Sequence, residues 1–417
     1  MILQKKLEQI GQQARIASNT LRSMSRGVKD AALIHAAQAL RNNKTELQIE
    51  NAKDLEAGRS KGLSNAMLDR LELTDKRITA MAEGLDVIAA LPDPVGDITE
   101  QYIHPNGLRI ARLRQPLGVV GIIYESRPNV TADAAALCLK SGNATILRGG
   151  SEAIHSNLAI AKIFSKAVME AGVSEHALQI ITTTDRAAVG EMLKLERYID
   201  VIIPRGGKNL IARIYDESRI PVVAHLDGIC HTYIHEDADA TMAKRIAVNA
   251  KLQRPGVCNT METLLIHEAG APLLLPDIAK ELTEGGCELR GCERTCQLIN
   301  CNPATETDWT TEYLDKILSI RVVSSFEEAV CHINEYGSHH SDAIITESYN
   351  AAERFLDEVD SASVYVNAST RFTDGFEFGL GAEIGISTSK LHCRGPMALE
   401  GLTSLKYIVH GTGQIRE

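Results

Sequence analysis

The sequence has few aromatic residues, no excess of basic residues and no long hydrophobic run. Aromatic residues make up 4% of the 417 residues, with one tryptophan, so stacking surfaces for single-stranded nucleic acid are scarce. Lys and Arg number 44 against 54 Asp and Glu, a formal net charge of −10, which disfavours a protein that binds a phosphate backbone. The longest apolar run, Pro116 to Tyr124, is shorter than the ~20 residues that cross a bilayer. Nucleic-acid and membrane functions are therefore not expected.

Signals for secretion and for disulfide bonding are also lacking. The first residues mix charged and apolar side chains at helical spacing and contain no secretory hydrophobic region. Nine cysteines, an odd number, are in this context typical of reduced thiols. We expect a cytoplasmic α/β enzyme.

The hydrophobic pattern predicts helices up to about Leu91 and alternating strands and helices after it. Continuous β-branched runs such as 118–126 indicate strands buried on both faces, and repeated strand–helix units indicate a doubly wound parallel sheet. We predict two such domains. The first domain takes residues 1–226 with a return segment at about 363–385, and the second takes residues 227–362.

Two segments alternate apolar and polar residues without an obvious helical cover. They are LRIARLR, within 108–115, and TSLKYIV, within 400–417. We expect them to pair as a protruding β-arm. Because exposed strand edges favour pairing with another chain, a homo-oligomer is expected.

No strand–GxGxxG–helix fingerprint of the usual dinucleotide fold is present. A predicted buried strand instead ends in Arg205, Gly206, Gly207 and Lys208, followed by a helical segment. Such glycines let amides at a helix N-terminus face an anion, and the two basic side chains add positive charge. The segment 146–152, ILRGGSE, repeats this design. Two ordinary strand-to-helix turns would have the same spacing, so spacing alone leaves both interpretations open.

Four cysteines occur within one short stretch: Cys287, Cys292, Cys296 and Cys301. Thiolates this close bind zinc or iron–sulfur clusters in other proteins, but the Cys-x₂-Cys pairs of the common zinc site are missing. In an amphipathic segment cysteine also serves as a small hydrophobe. We therefore assign no metal ligands.

Cys258 differs from these cysteines because it lies in a short loop, QRPGVCNTMETLL, between a helix broken by Pro255 and Gly256 and a following strand. Such a loop holds an exposed nucleophile rigidly. A free thiol, with a pKa near ~8.5, needs an activating environment to react at neutral pH. The sequence does not identify the activating group.

Three long motifs stand out together. They are YESRPNVTADAAALCLKSGNATILRGG at 124–150, QRPGVCNTMETLL at 253–265 and NASTRFTDGFEFGLGAEIGISTSKLHCRGPM at 367–397. In this order they resemble the γ-glutamyl phosphate reductases, the proline-biosynthesis branch of the aldehyde dehydrogenase superfamily. The resemblance implies an aldehyde dehydrogenase-like arrangement of the two domains. The resemblance implies reduction of L-glutamyl 5-phosphate by NADPH to L-glutamate 5-semialdehyde, with release of phosphate. It also raises glutamate 5-kinase, which makes the labile substrate, as a possible partner.

The resemblance implies two catalytic residues. Cys258 matches the nucleophile, whose thiolate attacks the acyl phosphate and leaves a thioester. Asn129 matches the asparagine whose side-chain amide forms an oxyanion hole with the Cys258 backbone N–H. A polar residue that simply follows Pro128 at a helix N-terminus is the other interpretation of Asn129.

The resemblance also implies cofactor and substrate residues. Arg148 falls where a basic residue faces the adenosine ribose, and its fork suits a 2′-phosphate, which favours NADPH over NADH. Gly206 and Gly207 match the turn near the pyrophosphate, where Arg205 and Lys208 add charge. Glu312 matches a glutamate that holds the nicotinamide ribose. The chemistry of the substrate further indicates Arg127 or Arg371 for its carboxylate or phosphate and Asp374 for its ammonium, although both arginines would equally well brace loops.

One departure from the wider superfamily bears on the reaction. Hydrolytic aldehyde dehydrogenases carry a water-activating glutamate where this sequence has Ala224. Attack of water on the thioester is therefore expected to be slow, so that the thioester is reduced by hydride instead. The alternatives are a hydrolytic NAD(P)-dependent aldehyde dehydrogenase and, in a different class, a non-catalytic thiol or metal-binding protein that uses the cysteines of 287–301. An inactive homologue is disfavoured because Cys258 and Asn129 are both present.

Overall fold

The computed structural model describes residues 2–416 and divides into two compact units. Unit 1 comprises the described residues up to Ala224, Leu380–Gly385 and the segment from Met397 onward, and unit 2 comprises His225–Gly379 and Ile386–Pro396. Within residues 2–416, every helix is too short or too polar to cross a lipid bilayer.

Helices fill the N-terminal part of unit 1, as predicted. Helices α1 to α5 are Ile2–Leu21, Arg26–Asn42, Lys44–Ser60, Asn65–Leu71 and Asp75–Ala90. Helix α2 buries Ala32, Ala36 and Leu40 at the spacing of one helical face. Helix α5 begins after Thr74, whose hydroxyl accepts the Arg77 N–H over 3.2 Å.

Strands and helices alternate in the rest of unit 1. In chain order they are β1 (Ile98–Ile103), β2 (Arg109–Pro116), β3 (Val119–Tyr124), α6 (Asn129–Lys140), β4 (Ala144–Gly149), α7 (Ile154–Glu170), β5 (Leu178–Ile180), α8 (Ala187–Met192), β6 (Val201–Arg205) and α9 (Lys208–Glu217). A parallel sheet has the order β5-β4-β3-β6. Strands β3 and β4 are buried along their whole length, as their continuous apolar composition predicts.

Unit 2 is built on one larger parallel sheet. Its elements are β7 (Cys230–Ile234), α10 (Ala240–Leu252), β8 (Met261–His267), α11 (Ala271–Glu284), β9 (Glu288–Gly291), α12 (Glu293–Leu298), β10 (Asn302–Pro303), α13 (Glu306–Trp309), β11 (Ile317–Val323), α14 (Phe326–Tyr336), β12 (Ser341–Ile345), α15 (Tyr349–Glu358) and β13 (Ser363–Val366). The seven strands have the order β10-β9-β11-β8-β7-β12-β13. The α/β architecture with parallel sheets predicted from the sequence is confirmed.

The return segment differs from the prediction. The expected return segment to the first domain is about 363–385, whereas the structure places its larger part, up to Gly379, in unit 2. The reason is strand pairing: β13 pairs in parallel with β12, Ser341 opposite Ser363. Only Leu380–Gly385 belongs to unit 1. The short strands β14 (Gly385–Ser387) and β15 (Gly395–Met397) follow in the chain.

The predicted pairing of the two alternating segments is present in unit 1. Strand β2 pairs antiparallel with β16 (Thr403–His410), Arg114 opposite Leu405. Strand β1, which the sequence analysis does not predict, joins the other edge of β2 and is exposed along its whole length. The edges formed by β1 and β16 carry exposed apolar side chains: Ile98, Tyr102, Ile103, Tyr407 and Val409.

Candidate active site

In unit 1 the strand order reverses beside β3. The chain runs from β3 to β4 and β5 on one side and then places β6 on the other side of β3. Parallel sheets bind ligands at the carboxyl ends of strands next to such a reversal. Here β3 is followed by Glu125, whose N–H donates to the Arg205 carbonyl at the end of β6 over 3.1 Å. The Arg205–Lys208 turn therefore lies where this topology favours a cofactor.

The N-terminus of α9 already holds an anionic oxygen. Oε2 of Glu125 accepts the Gly207 N–H over 3.0 Å. A Cβ at Gly206 would lie 2.7 Å from the same oxygen, so glycine leaves room for the carboxylate here. Arg205 also lies 4.0 Å from the carboxylate of Glu383. Because a backbone amide and the Arg205 side chain here lie against carboxylates, the turn has the chemistry that a dinucleotide phosphate requires.

Arg148 lies at the end of β4 with its side chain committed to the protein. Its Nη atoms donate to the carbonyls of Gly149, over 2.8 Å, and Thr184, over 3.4 Å. Burial is the main cause that lowers its pKa, which Glu152 partly restores. The buried Nε has no hydrogen-bond partner among the described residues. Arg148 thus braces the loop after β4 and offers one further donor to a ligand.

Asn129 is exposed at the start of α6 and is oriented by a carboxyl group one turn along. Its Nδ2 donates to Oδ2 of Asp133 over 2.9 Å. Burial raises the pKa of Asp133 to about 6, against the hydrogen bond from Asn129 and the charge of Arg205. One N–H of the amide is fixed in this way, and the amide has a second N–H to donate.

The turn before Asn129 has an unusual backbone. Ser126 has a φ of 41°, a left-handed conformation that is costly for a residue other than glycine and clusters at functional sites. Oε1 of Glu152 stabilises it by accepting the Ser126 N–H over 2.6 Å and the hydroxyl over 2.8 Å. Arg127, the next residue, is exposed.

In unit 2 the predicted nucleophile lies at the amino-terminal edge of the sheet. Cys258 occupies the loop between α10 and β8, while β7 begins with Cys230 and β12 follows directly after His340. Strand β7 lies between β8 and β12, all in parallel, so the starts of these strands meet at one edge. The sheet order therefore brings Cys258, Cys230 and His340 together.

Cys230 has a structural part beside the nucleophile. Its thiol donates to the Cys258 carbonyl over 3.2 Å. Burial raises its pKa well above the usual range, and the charges of Asp342 and Cys258 act in the same direction. Because a thiol rather than a thiolate is favoured at Cys230, it supports the loop and is not a competing nucleophile.

The residue after the nucleophile anchors the loop. Asn259 is 5% exposed and its Nδ2 donates to the Thr373 carbonyl over 2.9 Å. The Thr370 hydroxyl donates to the Asn259 carbonyl over 2.8 Å. These bonds tie the loop to the short 3₁₀ helix Thr370–Phe372 in the third sequence motif, and they fix the backbone of Cys258.

A second segment packs directly against the nucleophile. A Cβ added to Gly228 would lie 2.0 Å from the Cys258 carbonyl oxygen, so this close approach requires glycine. Oε1 of Glu312 accepts the Gly228 N–H over 2.9 Å. In this structure Glu312 therefore positions the segment that packs on Cys258, through a contact that the resemblance does not imply.

Two histidines accompany the nucleophile. Nδ1 of His225 lies 2.9 Å from the Ile386 carbonyl, which only accepts, so Nδ1 carries the proton and the neutral ring has its lone pair on Nε2. His340 is fully buried, and the two rings meet edge to face with centroids 4.9 Å apart. One nitrogen from each ring and the Cys258 Sγ lie within 4.8 Å of one another.

The remaining candidates of unit 2 lie nearby in the fold. Arg371, within the 3₁₀ helix, donates from Nε to Oε1 of Gln253 over 2.9 Å. Burial lowers its pKa, as does Arg254, whereas Cys258 and Asp374 raise it, so its charge interacts with the nucleophile. Oδ1 of Asp374 accepts the Phe376 N–H over 2.8 Å and stabilises the following turn.

The four-cysteine stretch does not bring three of its sulfur atoms as close together as a metal site requires. It forms β9, α12 and β10, and burial raises the pKa of Cys287 to about 11. Sγ of Cys296 and Sγ of Cys301 are 3.3 Å apart. Across residues 2–416, His225, Cys258 and His340 are the group in which three ligand atoms lie that close. The geometry therefore does not favour a metal site at 287–301.

Sequence reasoning missed His225, Gly228, Cys230 and His340. A signal existed for two of them, because GICHTYI and HHSDAII place Cys or His at the start of apolar runs. That signal says nothing about which strands are neighbours. Only the order β8-β7-β12 brings them to the nucleophile.

The chain is similar to known proteins in both sequence and structure. The model of the aldehyde dehydrogenase family matches residues 2–286. The gamma-glutamyl phosphate reductase of Magnetococcus marinus is 56% identical over 99% of this chain and 98% of its own length.

Two solved structures with the same description also match. The gamma-glutamyl phosphate reductase of Thermotoga maritima is 45% identical, with a TM-score of 0.97 over 99% of this chain and 100% of that chain. The gamma-glutamyl phosphate reductase of Saccharomyces cerevisiae is 33% identical, with a TM-score of 0.55 over 98% of each chain.

Proposed function

We propose that this chain, which belongs to the gamma-glutamyl phosphate reductases of the aldehyde dehydrogenase family, reduces L-glutamyl 5-phosphate to L-glutamate 5-semialdehyde through a thioester on Cys258. The observation that carries this proposal is the rigid loop of Cys258 with two imidazoles beside its thiol. The semialdehyde then serves proline biosynthesis.

The first step is acyl transfer to sulfur. Nε2 of His225 accepts the thiol proton, and the Cys258 thiolate attacks the acyl carbon. A C–S bond forms, the C–O bond to phosphate breaks, and phosphate leaves. His225 suits the base because its Nδ1–H is held by the Ile386 carbonyl, which keeps the lone pair on the other nitrogen.

The second step is reduction of the thioester. When bound, a nicotinamide cofactor, which this family uses, would supply the hydride that reduces the thioester. The C–S bond then breaks, and Cys258 returns to the thiolate as the aldehyde forms. We propose that Asn129 and the Cys258 backbone N–H stabilise the oxyanion in both steps, a contribution typically worth ~3 kcal/mol per donor. Asp133 orients the Asn129 amide for this purpose.

The cofactor is proposed to be NADPH. The turn Arg205–Lys208 at the N-terminus of α9 holds an anionic oxygen on the Gly207 N–H, which supports a pyrophosphate there. Arg148 lies near the end of β4, in the same parallel sheet as β6. Its buried Nε has no hydrogen-bond partner among the described residues. A positive, desolvated donor in this position supports binding of a 2′-phosphate.

The substrate is proposed to be held by the cation of Arg371, whose charge interacts with Cys258. Arg127 and Asp374 remain candidates for its phosphate and ammonium groups. Release as aldehyde rather than as acid is supported by Ala224, a 4% exposed methyl side chain without a proton acceptor. Hydrolytic aldehyde dehydrogenases carry a water-activating glutamate at that position.

The experiment is the reverse reaction. Purified protein receives glutamate semialdehyde, NADP⁺ and phosphate, and nicotinamide absorbance is followed; phosphate is omitted in one arm and Cys258→Ala replaces the wild type in another. Phosphate-dependent formation of NADPH that disappears in Cys258→Ala supports the proposal. NADPH formation without phosphate would instead establish a hydrolytic aldehyde dehydrogenase, and full activity of Cys258→Ala would exclude the thioester.

We further propose a cytoplasmic homo-oligomer. The nine cysteines are all free thiols, which supports a reducing compartment, and the exposed edges of β1 and β16 support pairing with a second copy. Sedimentation of wild type and Tyr407→Lys tests the assembly, since a smaller particle is expected for the variant. We also propose glutamate 5-kinase as a partner, because its product is labile and is the substrate of the proposed reaction.

A further inference from the structure

The cluster of His225, Cys258 and His340 has the composition of a metal site. The Cys258 Sγ and one nitrogen of each imidazole lie within 4.8 Å of one another. Zinc binds such sulfur and nitrogen ligands in tetrahedral geometry and accepts three protein ligands with a fourth position open. Ligand atoms around zinc are ~3.5 Å apart, as follows from bond lengths of ~2.0–2.3 Å, so small side-chain movements complete the set.

The surroundings of both imidazoles match those of metal-bound histidines. A metal-binding histidine donates its other N–H to a carbonyl or another acceptor, which fixes the ring. Nδ1 of His225 is 2.9 Å from the Ile386 carbonyl, and Nδ1 of His340 is 2.9 Å from the Ser341 hydroxyl. In each ring this contact engages Nδ1, and Nε2 is the nitrogen on the opposite side of the ring.

His340 supplies an independent observation. Its ring is 0% exposed, and its Nε2 has no hydrogen-bond partner among residues 2–416. A buried polar atom without a partner is costly. On the other side of the ring, hydroxyls continue from Ser341 to Thr373 over 2.6 Å and from Thr373 to Tyr365 over 2.7 Å. This chain holds the ring in place and leaves Nε2 as its one unsatisfied atom.

We infer that the cluster binds one zinc ion reversibly and that the bound ion blocks the nucleophile. The ion replaces the thiol proton of Cys258, which is released to solvent, and Nε2 of each histidine donates a lone pair. No oxidation or reduction is involved. Binding follows from the geometry alone, whereas inhibition rests on the proposed role of Cys258.

The experiment measures protection of Cys258 from alkylation. Full-length protein is treated with iodoacetamide in a non-chelating reducing buffer, with and without one equivalent of Zn²⁺, and the modified Cys258 peptide is quantified by mass spectrometry. We expect zinc to slow alkylation at least tenfold and EDTA to restore it. His225→Gln and His340→Gln are each expected to weaken the protection about tenfold or more.

Matched variants separate this site from other ligands. The neighbouring pair Cys296 and Cys301 is replaced by serine to remove a competing dithiol, and His176→Gln removes an imidazole elsewhere. Both variants are expected to keep full protection and a single bound zinc. Co²⁺ gives a second measurement, because its thiolate charge-transfer absorption is expected in the wild type and absent in Cys258→Ser. Thermal unfolding shows that each variant is folded.

Several results would overturn the inference. They are protection that survives in both His225→Gln and His340→Gln, one-to-one binding that disappears with Cys296 and Cys301, and a thiolate–cobalt absorption that remains in Cys258→Ser. The proposed function fails separately: if zinc protects Cys258 but the phosphate-dependent reaction persists in Cys258→Ala, the metal site stands and the catalytic role does not.

Discussion

Replacing Gly228 by alanine tests whether the position of the nucleophile backbone determines the rate. The added Cβ would lie 2.0 Å from the Cys258 carbonyl oxygen, 2.5 Å from its Cα and 2.6 Å from its carbonyl carbon. An ordinary contact begins near 3.4 Å, so relief requires a movement of about 1.4 Å. All three atoms are backbone, and no flexible side chain is available to yield.

The size of the effect follows from this displacement. A misplacement of about 1 Å in a reacting group typically costs about 100-fold in rate, or ~2.7 kcal/mol of transition-state stabilisation. The loop has little freedom to absorb the change, because Asn259 is tied to Thr370 and Thr373. We therefore expect kcat/KM of Gly228→Ala to fall about 100-fold, with the protein still folded.

The assay is the initial rate of phosphate-dependent NADPH formation, with thermal unfolding measured in parallel. Gly256→Ala is the matched control in the same loop, because its added Cβ would have its nearest atom at an ordinary 3.5 Å. It is expected to keep activity within a few-fold of the wild type. Wild-type activity in Gly228→Ala, or an equal loss in both variants, would refute the reasoning.

Three further predictions concern unit 1, unit 2 and the cofactor. Burial raises the pKa of Asp133 to about 6, so the folded chain binds this proton more tightly than the unfolded chain does. The free energy of unfolding is therefore expected to fall as the pH rises from ~4 to about 6. In urea titrations at different pH values, Asp133→Asn should lack this part of the pH dependence. Although burial opposes it, hydrogen bonds from Tyr313 and Arg290 hold the pKa of Asp308 below its usual range. Asp308→Asn should therefore lower the free energy of unfolding by about 2–3 kcal/mol at neutral pH. This difference from the wild type should shrink below pH ~4, and a difference that stays the same in acid would contradict the prediction. Arg148→Ala should raise KM for NADPH more than KM for NADH, and equal increases would leave Arg148 as a loop brace only.

The sequence by itself determined the local structure and the chemistry of the nucleophile loop. Apolar spacing reports the faces that helices and strands bury, so the helical N-terminus and the alternation after it are predictable. The QRPGVC loop, the Arg205–Lys208 turn and the strand character of 108–115 and of the C-terminal segment are also visible in local pattern. Each segment buries its own apolar face, so the spacing of its apolar residues predicts its local structure.

The tertiary structure decided which segments meet. Strands β8, β7 and β12 are neighbours, and for that reason His340 reaches Cys258 from far along the chain. The same sheet claims Ser363–Val366 for unit 2, and packing brings Gly228 onto the nucleophile backbone. Strand order depends on the sum of many contacts between segments that are far apart in the sequence. Because each segment contributes only a small part of the total free energy, no single segment predicts the order.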